Sequence, residues 1–92
     1  MEHINTFEDA IKDTMVNHTQ NRVEYRDYTI TTEIVVKKDN YKYIKVVLYY
    51  NGVVEDEAYW TIHDHDVKDV LAYVNGFIDI QLSIYGRGNT VF

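Results

Sequence analysis

The 92-residue chain has no cysteine, no proline and only four glycines. Without cysteine there is neither a disulfide framework nor a thiolate zinc site. No linker, internal repeat or low-complexity tract divides it, so residues 1–92 read as a single domain. No apolar run is long enough to cross a membrane. Met1-Glu2-His3 lacks the basic and apolar regions of a signal peptide, which makes a cytoplasmic location the expectation. Basic side chains are also scarce, nine against fifteen acidic ones, for a formal charge of -6. The imbalance is greatest over residues 53–92, where Glu55, Asp56, Glu57, Asp64, Asp66, Asp69 and Asp79 face only Lys68 and Arg87. That charge repels phosphate backbones and argues against direct nucleic-acid binding, while favouring a protein target with a basic surface.

What the chain does have is apolar content of 46% and nine tyrosines, more than a disordered tail carries and enough for one two-layered core. Residues 6–18 predict an amphipathic helix. Asn5 or Thr6 would cap it, Glu8 and Asp9 sit in its first turn, and Phe7, Ala10, Ile11 and Met15 share one stripe. Ile4 would pack just ahead of the cap. Three strands are expected next, over 23–37, 41–50 and 53–62, each alternating with period two. Their even positions form the core face: Tyr28, Ile30, Ile34 and Val36, then Ile44, Val46, Leu48 and Tyr50, then Val54, Ala58, Trp60 and Ile62. Thr32 is the exception.

A three-residue loop at Lys38-Asp39-Asn40, with Asn40 left-handed, pairs Ile34 with Ile44 and Ile30 with Leu48. At the next turn, a two-residue loop at Asn51-Gly52 would pair Leu48 with Glu55 and mix core with solvent positions. A three-residue loop with a bulge is therefore preferred, pairing Leu48 with Val54 and Ile44 with Ala58. On the outer face this register sets Lys45 between Glu33 and Glu57. From 66 to 85 one helix, capped by Asp64 or Asp66 and stopped at Gly86, accounts for more of the pattern than a strand over 77–84. The expected fold is α+β: a helix, a three-stranded antiparallel meander in order 1-2-3, and a C-terminal helix, with both helices on the even-numbered face.

Three groups of residues invite a functional reading. His63-Asp64-His65-Asp66 could bring two imidazoles and a carboxylate to one metal ion, but no matched third ligand accompanies them, and the sequence pattern does not place His3 and His18. The stretch reads as a strand-to-helix junction, and neither a metal nor a cofactor is expected. Glu55-Asp56-Glu57 cannot form an acid–base pair across a pocket, because adjacent strand residues point to opposite faces. Glu55 and Glu57 should face out, and Asp56 should point inward near the sheet edge, guarding it. Tyr41, Tyr43, Val47, Tyr49 and Tyr59, with Val35, occupy an outer face that an antiparallel sheet normally shows to water. Tyrosine is enriched at binding hot spots. No nucleophile–base pair or phosphate loop is legible, with Ser83 the single serine, so no enzymatic activity is expected.

Helix, meander, helix is also the order of the double-stranded-RNA-binding domain. That family needs lysines opening its second helix, where this chain has Asp64, Asp66, Lys68 and Asp69. The same order in a short acidic chain resembles some phage-encoded anti-CRISPR inhibitors, which occupy a cationic nucleic-acid groove with carboxylates. The resemblance is architectural and implies no specific residue. The expected function is non-enzymatic protein binding, of an inhibitory kind if the resemblance holds. Tyr43, Tyr49 and Tyr59 would supply contact area, and Glu55, Glu57, Asp64 and Asp66 charge. The alternative is a homodimer formed through the tyrosine face or the C-terminal helix.

Overall fold

Alternating side chains build four strands rather than three, and two amphipathic helices cover one side of them. In the computed structural model, residues 6–89 are described. The elements are α1 (Thr6–Asn17), β1 (Asn21–Tyr25), β2 (Tyr28–Val36), β3 (Lys42–Tyr50), β4 (Val53–Thr61) and α2 (Val67–Tyr85). The strands form one antiparallel meander in the order β1-β2-β3-β4. The expected contributions of Ile4, Asn5 and His3 lie outside the described residues, as does the side chain of Thr6.

The fourth strand corrects the three-stranded expectation. The segment taken as one long strand over 23–37 folds back at Arg26-Asp27, whose φ angles of 52° and 70° are those of a two-residue type I′ hairpin. Tyr25 then pairs with Tyr28, and Val23 with Ile30. Inward positions change from odd to even across this turn, because the paired residues flanking a two-residue loop share a face. Arg26 holds the turn against α2. Its guanidinium donates to Asn75 Oδ1 at 2.9 Å and pairs with Asp79 at 2.6 Å, and its Nε donates to the Asn89 carbonyl.

The β2–β3 register is the expected one, with Ile34 opposite Ile44, Ile30 opposite Leu48 and Glu33 opposite Lys45. Asn40 is left-handed at φ 67°. The β3–β4 register differs. Asn51 and Gly52, at φ 52° and 81°, form the type I′ turn rejected above, so Tyr50 pairs with Val53 and Tyr49 with Val54. A bulge follows: Glu55 is an extra residue in β4, and beyond it Leu48 pairs with Asp56, Val46 with Ala58 and Ile44 with Trp60. The bulge restores the inward parity that the tight turn alone would lose. Ahead of the bulge, the tight turn places Val53 rather than Val54 on the helix side.

Phe7 and Ile11 of α1, Val70, Val74 and Ile78 of α2, and Tyr28, Ile30, Ile44, Val46 and Leu48 of the sheet make a fully buried core. Thr32 fits because its hydroxyl bonds the Thr14 hydroxyl across the α1–β2 contact at 2.7 Å. The α2 helix is continuous, as its arc of apolar residues requires. Asp66 caps it by accepting from the Lys68 and Asp69 amides at 3.0 and 3.3 Å, and the Asp66 amide in turn donates to Asp69 Oδ2 at 3.0 Å. At the other end the Gly86 amide donates to the Leu82 carbonyl at 2.9 Å.

Candidate functional site

Because both helices lie on one side, the odd-numbered face of β2–β4 has no described helix over it. Tyr43 and Tyr59 stand near one end of this open face. Tyr49 stands near the other, opposite Thr29 and Val54. Val47, between the two ends, is only 7% exposed; its neighbours Lys45 and Tyr49 along β3 and Glu57 across on β4 are long enough to close over it. Tyr41 precedes β3 and is exposed in the turn, its amide bound to Asp39 Oδ1 at 2.9 Å.

The Tyr43–Tyr59 end is a connected polar network. The Tyr43 hydroxyl donates to Asp39 Oδ2 at 2.5 Å, and the Tyr59 hydroxyl to Glu57 Oε2 at 2.7 Å. Lys37 Nζ lies 4.6 Å from the Tyr43 ring centroid and 3.8 Å from that of Tyr59, bridging the two rings by cation–π contact. Lys45 Nζ reaches the same Glu57 carboxylate at 3.3 Å. Hydrogen bonding to carboxylates raises the pKa of both phenols above the ordinary tyrosine value of 10.0. The Tyr43 and Tyr59 hydroxyls in turn hold Asp39 and Glu57 below the usual carboxylate range. Lys45 is raised by its bond to Glu57. All of these groups are near-surface, and at neutral pH the phenols stay neutral and the carboxylates ionised.

The four carboxylates expected at the site do not converge. Glu57 lies within the network. Asp64 borders it, accepting at 3.3 Å from the hydroxyl of Thr61, which pairs with Tyr43. Asp66 is committed to the α2 cap. Glu55 does not face out as expected: the bulge turns it to the helix side, where it pairs with Arg87 Nη1 at 2.7 Å while Arg87 lies over the Tyr50 ring. Asp56 points inward, as its parity requires, and accepts from the Tyr73 hydroxyl at 2.6 Å. The open face therefore mixes charges of both signs and is less acidic than composition implies.

Lys37, Asp39 and Thr61 are the members of this surface that sequence reasoning did not single out. The signal for Lys37 was its odd parity next to the Tyr43 row, one step beyond Val35. His65 Nδ1 lies 3.1 Å from the Thr61 carbonyl and closes the β4–α2 turn. Among the described residues no group of three or more His, Asp or Glu is arranged to hold a metal ion. No described helix is long and apolar enough to cross a membrane. The chain matches no protein-family model, no curated protein and no solved structure.

Proposed function

We propose that this protein is a non-enzymatic protein-binding module that engages its target with the open face of the sheet, centred on Tyr43 and Tyr59. The supporting observation is that these two rings are uncovered by either helix yet held in place by Lys37, Asp39 and Glu57. Pre-oriented aromatic side chains lose little conformational entropy on contact, which is why such residues dominate binding energetics. In the narrower reading, which follows from the anti-CRISPR resemblance, the target is a nucleic-acid-handling enzyme with a basic groove, and Glu57 and Asp64 add attraction at the rim.

The test is affinity capture from the native host followed by titration of the recovered target against wild type, Tyr43→Ala and Tyr85→Ala. Tyr85 is an exposed aromatic on α2, remote from this face. Loss of affinity in Tyr43→Ala alone supports the reading; equal affinity of all three proteins refutes it. For the narrower form, the module should compete with nucleic acid for the target, and should do so less well as salt rises.

A second reading, a homodimer through α2, draws on Tyr73, Ile80 and Ile84. They lie along one side of the helix and are 44%, 56% and 62% exposed, more apolar surface than a helix normally shows to water. Sedimentation across a concentration series decides it: a strict monomer removes this option.

A further inference from the structure

We infer that the free edge of β4 between Glu57 and Thr61 accepts an extended, basic segment of a partner as a fifth strand. This deepens the protein-binding reading and rests on it. β4 ends the sheet, with no described strand beyond it. The Ile62 amide bonds the Lys42 carbonyl at 3.2 Å, and hydrogen-bonding direction alternates along an antiparallel strand. Trp60 and Ala58 therefore turn their backbone groups toward β3. Glu57, Tyr59 and Thr61 turn theirs outward, and of these the Thr61 carbonyl is already engaged by His65. The other half of β4 is closed to pairing, since the Glu55 bulge and the inward Asp56 are both devices that disfavour strand addition.

Side chains flanking the open half define what fits. On the outer face an incoming residue opposite Glu57 meets that carboxylate, which Lys45 also reaches, one opposite Tyr59 meets the ring beneath Lys37, and one opposite Thr61 lies next to Asp64. On the helix face, residues opposite Ala58 and Trp60 meet the Trp60 ring and, set edge-on to it at 5.3 Å, the partly exposed Tyr73 ring of α2. The complementary strand thus carries cationic side chains opposite Glu57 and Thr61 and apolar ones opposite Ala58 and Trp60. A second copy is a poor occupant, because pairing the two open halves about a two-fold axis at Tyr59 sets Glu57 of each chain opposite Thr61 of the other, beside that chain's Asp64. Neighbouring like charges across strands are unfavourable. Strand addition takes affinity from main-chain bonds and specificity from alternate side chains, and this edge supplies both.

The experiment uses a short capped peptide of alternating lysine and valine, titrated into the full chain and followed by amide NMR and hydrogen exchange. The expected result is saturable binding that slows exchange of the Glu57 and Tyr59 amides. Binding should weaken about tenfold or more when the β4-facing peptide amides are N-methylated, and should be lost when glutamate replaces lysine. Glu57→Lys should reverse the preference between the two peptides. Unchanged binding of the N-methylated peptide, equal binding of the glutamate peptide, protection confined to other strands, or β4 protection that grows with protein concentration in the absence of peptide would each overturn the proposal. Tyr43→Ala separates the two readings. It lies on β3, one strand in from the edge, and gives up no backbone group that an added strand would bond, so peptide addition should persist while the target captured through the open face binds more weakly.

Discussion

Alanine at Gly88 should destabilise the fold far more than alanine at Gly52, although the two glycines have almost the same positive φ. Gly52 sits at φ 81° in the β3–β4 turn and Gly88 at φ 83° after α2. A left-handed conformation costs an L-residue about 1–2 kcal/mol, and this part is common to both substitutions. At Gly52 an added Cβ meets nothing within 4 Å. At Gly88 it would lie 2.3 Å from Ile78 Cγ2 and 3.2 Å from the Arg26 carbonyl. Ile78 is fully buried, so it cannot move without displacing the core, and overpacking of this kind adds about 1–3 kcal/mol. Gly52→Ala should thus cost about 1–2 kcal/mol and Gly88→Ala about 2–5 kcal/mol. For a domain of this size each kcal/mol lowers the melting temperature by roughly 4–8 °C. Urea unfolding of both variants with an unchanged m-value gives the comparison. Equal losses would refute the close approach of Gly88 to the core. If the strain is instead relieved by the segment peeling away, Arg87 leaves Glu55. Arg87→Ala should then cost nothing further in the Gly88→Ala background, which a double-mutant cycle detects.

Gly76→Ala, in the exposed middle of α2 where a Cβ meets nothing within 4 Å, should stabilise the protein by about 1 kcal/mol, seen as a higher urea midpoint. Thr14→Val removes the hydrogen-bond partner of the buried Thr32 hydroxyl and should cost about 1–3 kcal/mol. Thr32→Val leaves Thr14 bonded to Asn21 and should cost about 0.5–1.5 kcal/mol; the double variant should be more stable than the sum of the two implies. Tyr43, Tyr59 and Tyr73 have raised pKa values through bonds to Asp39, Glu57 and Asp56, and Tyr28 through burial. Their contribution is complete below the unfolded value of 10.0 and is lost as pH rises through the folded values. Stability should therefore fall on the alkaline side as these phenols ionise, measured by urea midpoints alongside tyrosine ultraviolet absorbance. Asp13, Asp39 and Glu57 are lowered, chiefly by hydroxyl groups of Thr19, Tyr43 and Tyr59. Their share is present above about pH 4 and disappears as pH falls through the folded values.

The extent to which the fold was legible follows from which signals are local. The α2 helix could be read because its apolar arc, its Asp66 cap and its Gly86 stop agree. The β2–β3 register could be read because core pairs on one face and the Glu33–Lys45 pair on the other select the same alignment. The β1–β2 hairpin was missed because Arg26-Asp27 lacks the glycine or asparagine that usually marks such a turn. The remaining clue was the change of inward parity between Tyr25 and Tyr28. At Asn51-Gly52 the turn residues gave the right turn, and the pairing they implied was discarded because a bulge leaves no mark in the residue pattern. The same unseen residue explains Glu55, which composition grouped with Glu57 and the bulge sends to Arg87. Tyr43 and Tyr59 were found by parity, which also puts Lys37 on their face; that its Nζ reaches both rings depends on side-chain conformation, which spacing does not encode.

Every strand in this meander bonds only to the strand next to it in sequence, and no peptide bond in the chain precedes a proline. Low separation between contacting partners lowers the entropy lost in closing each loop, and rates rise accordingly. The tens-of-seconds phase that prolyl isomerisation imposes has no source here. Refolding from denaturant should then run as one fast exponential, its two arms giving the same free energy as equilibrium unfolding.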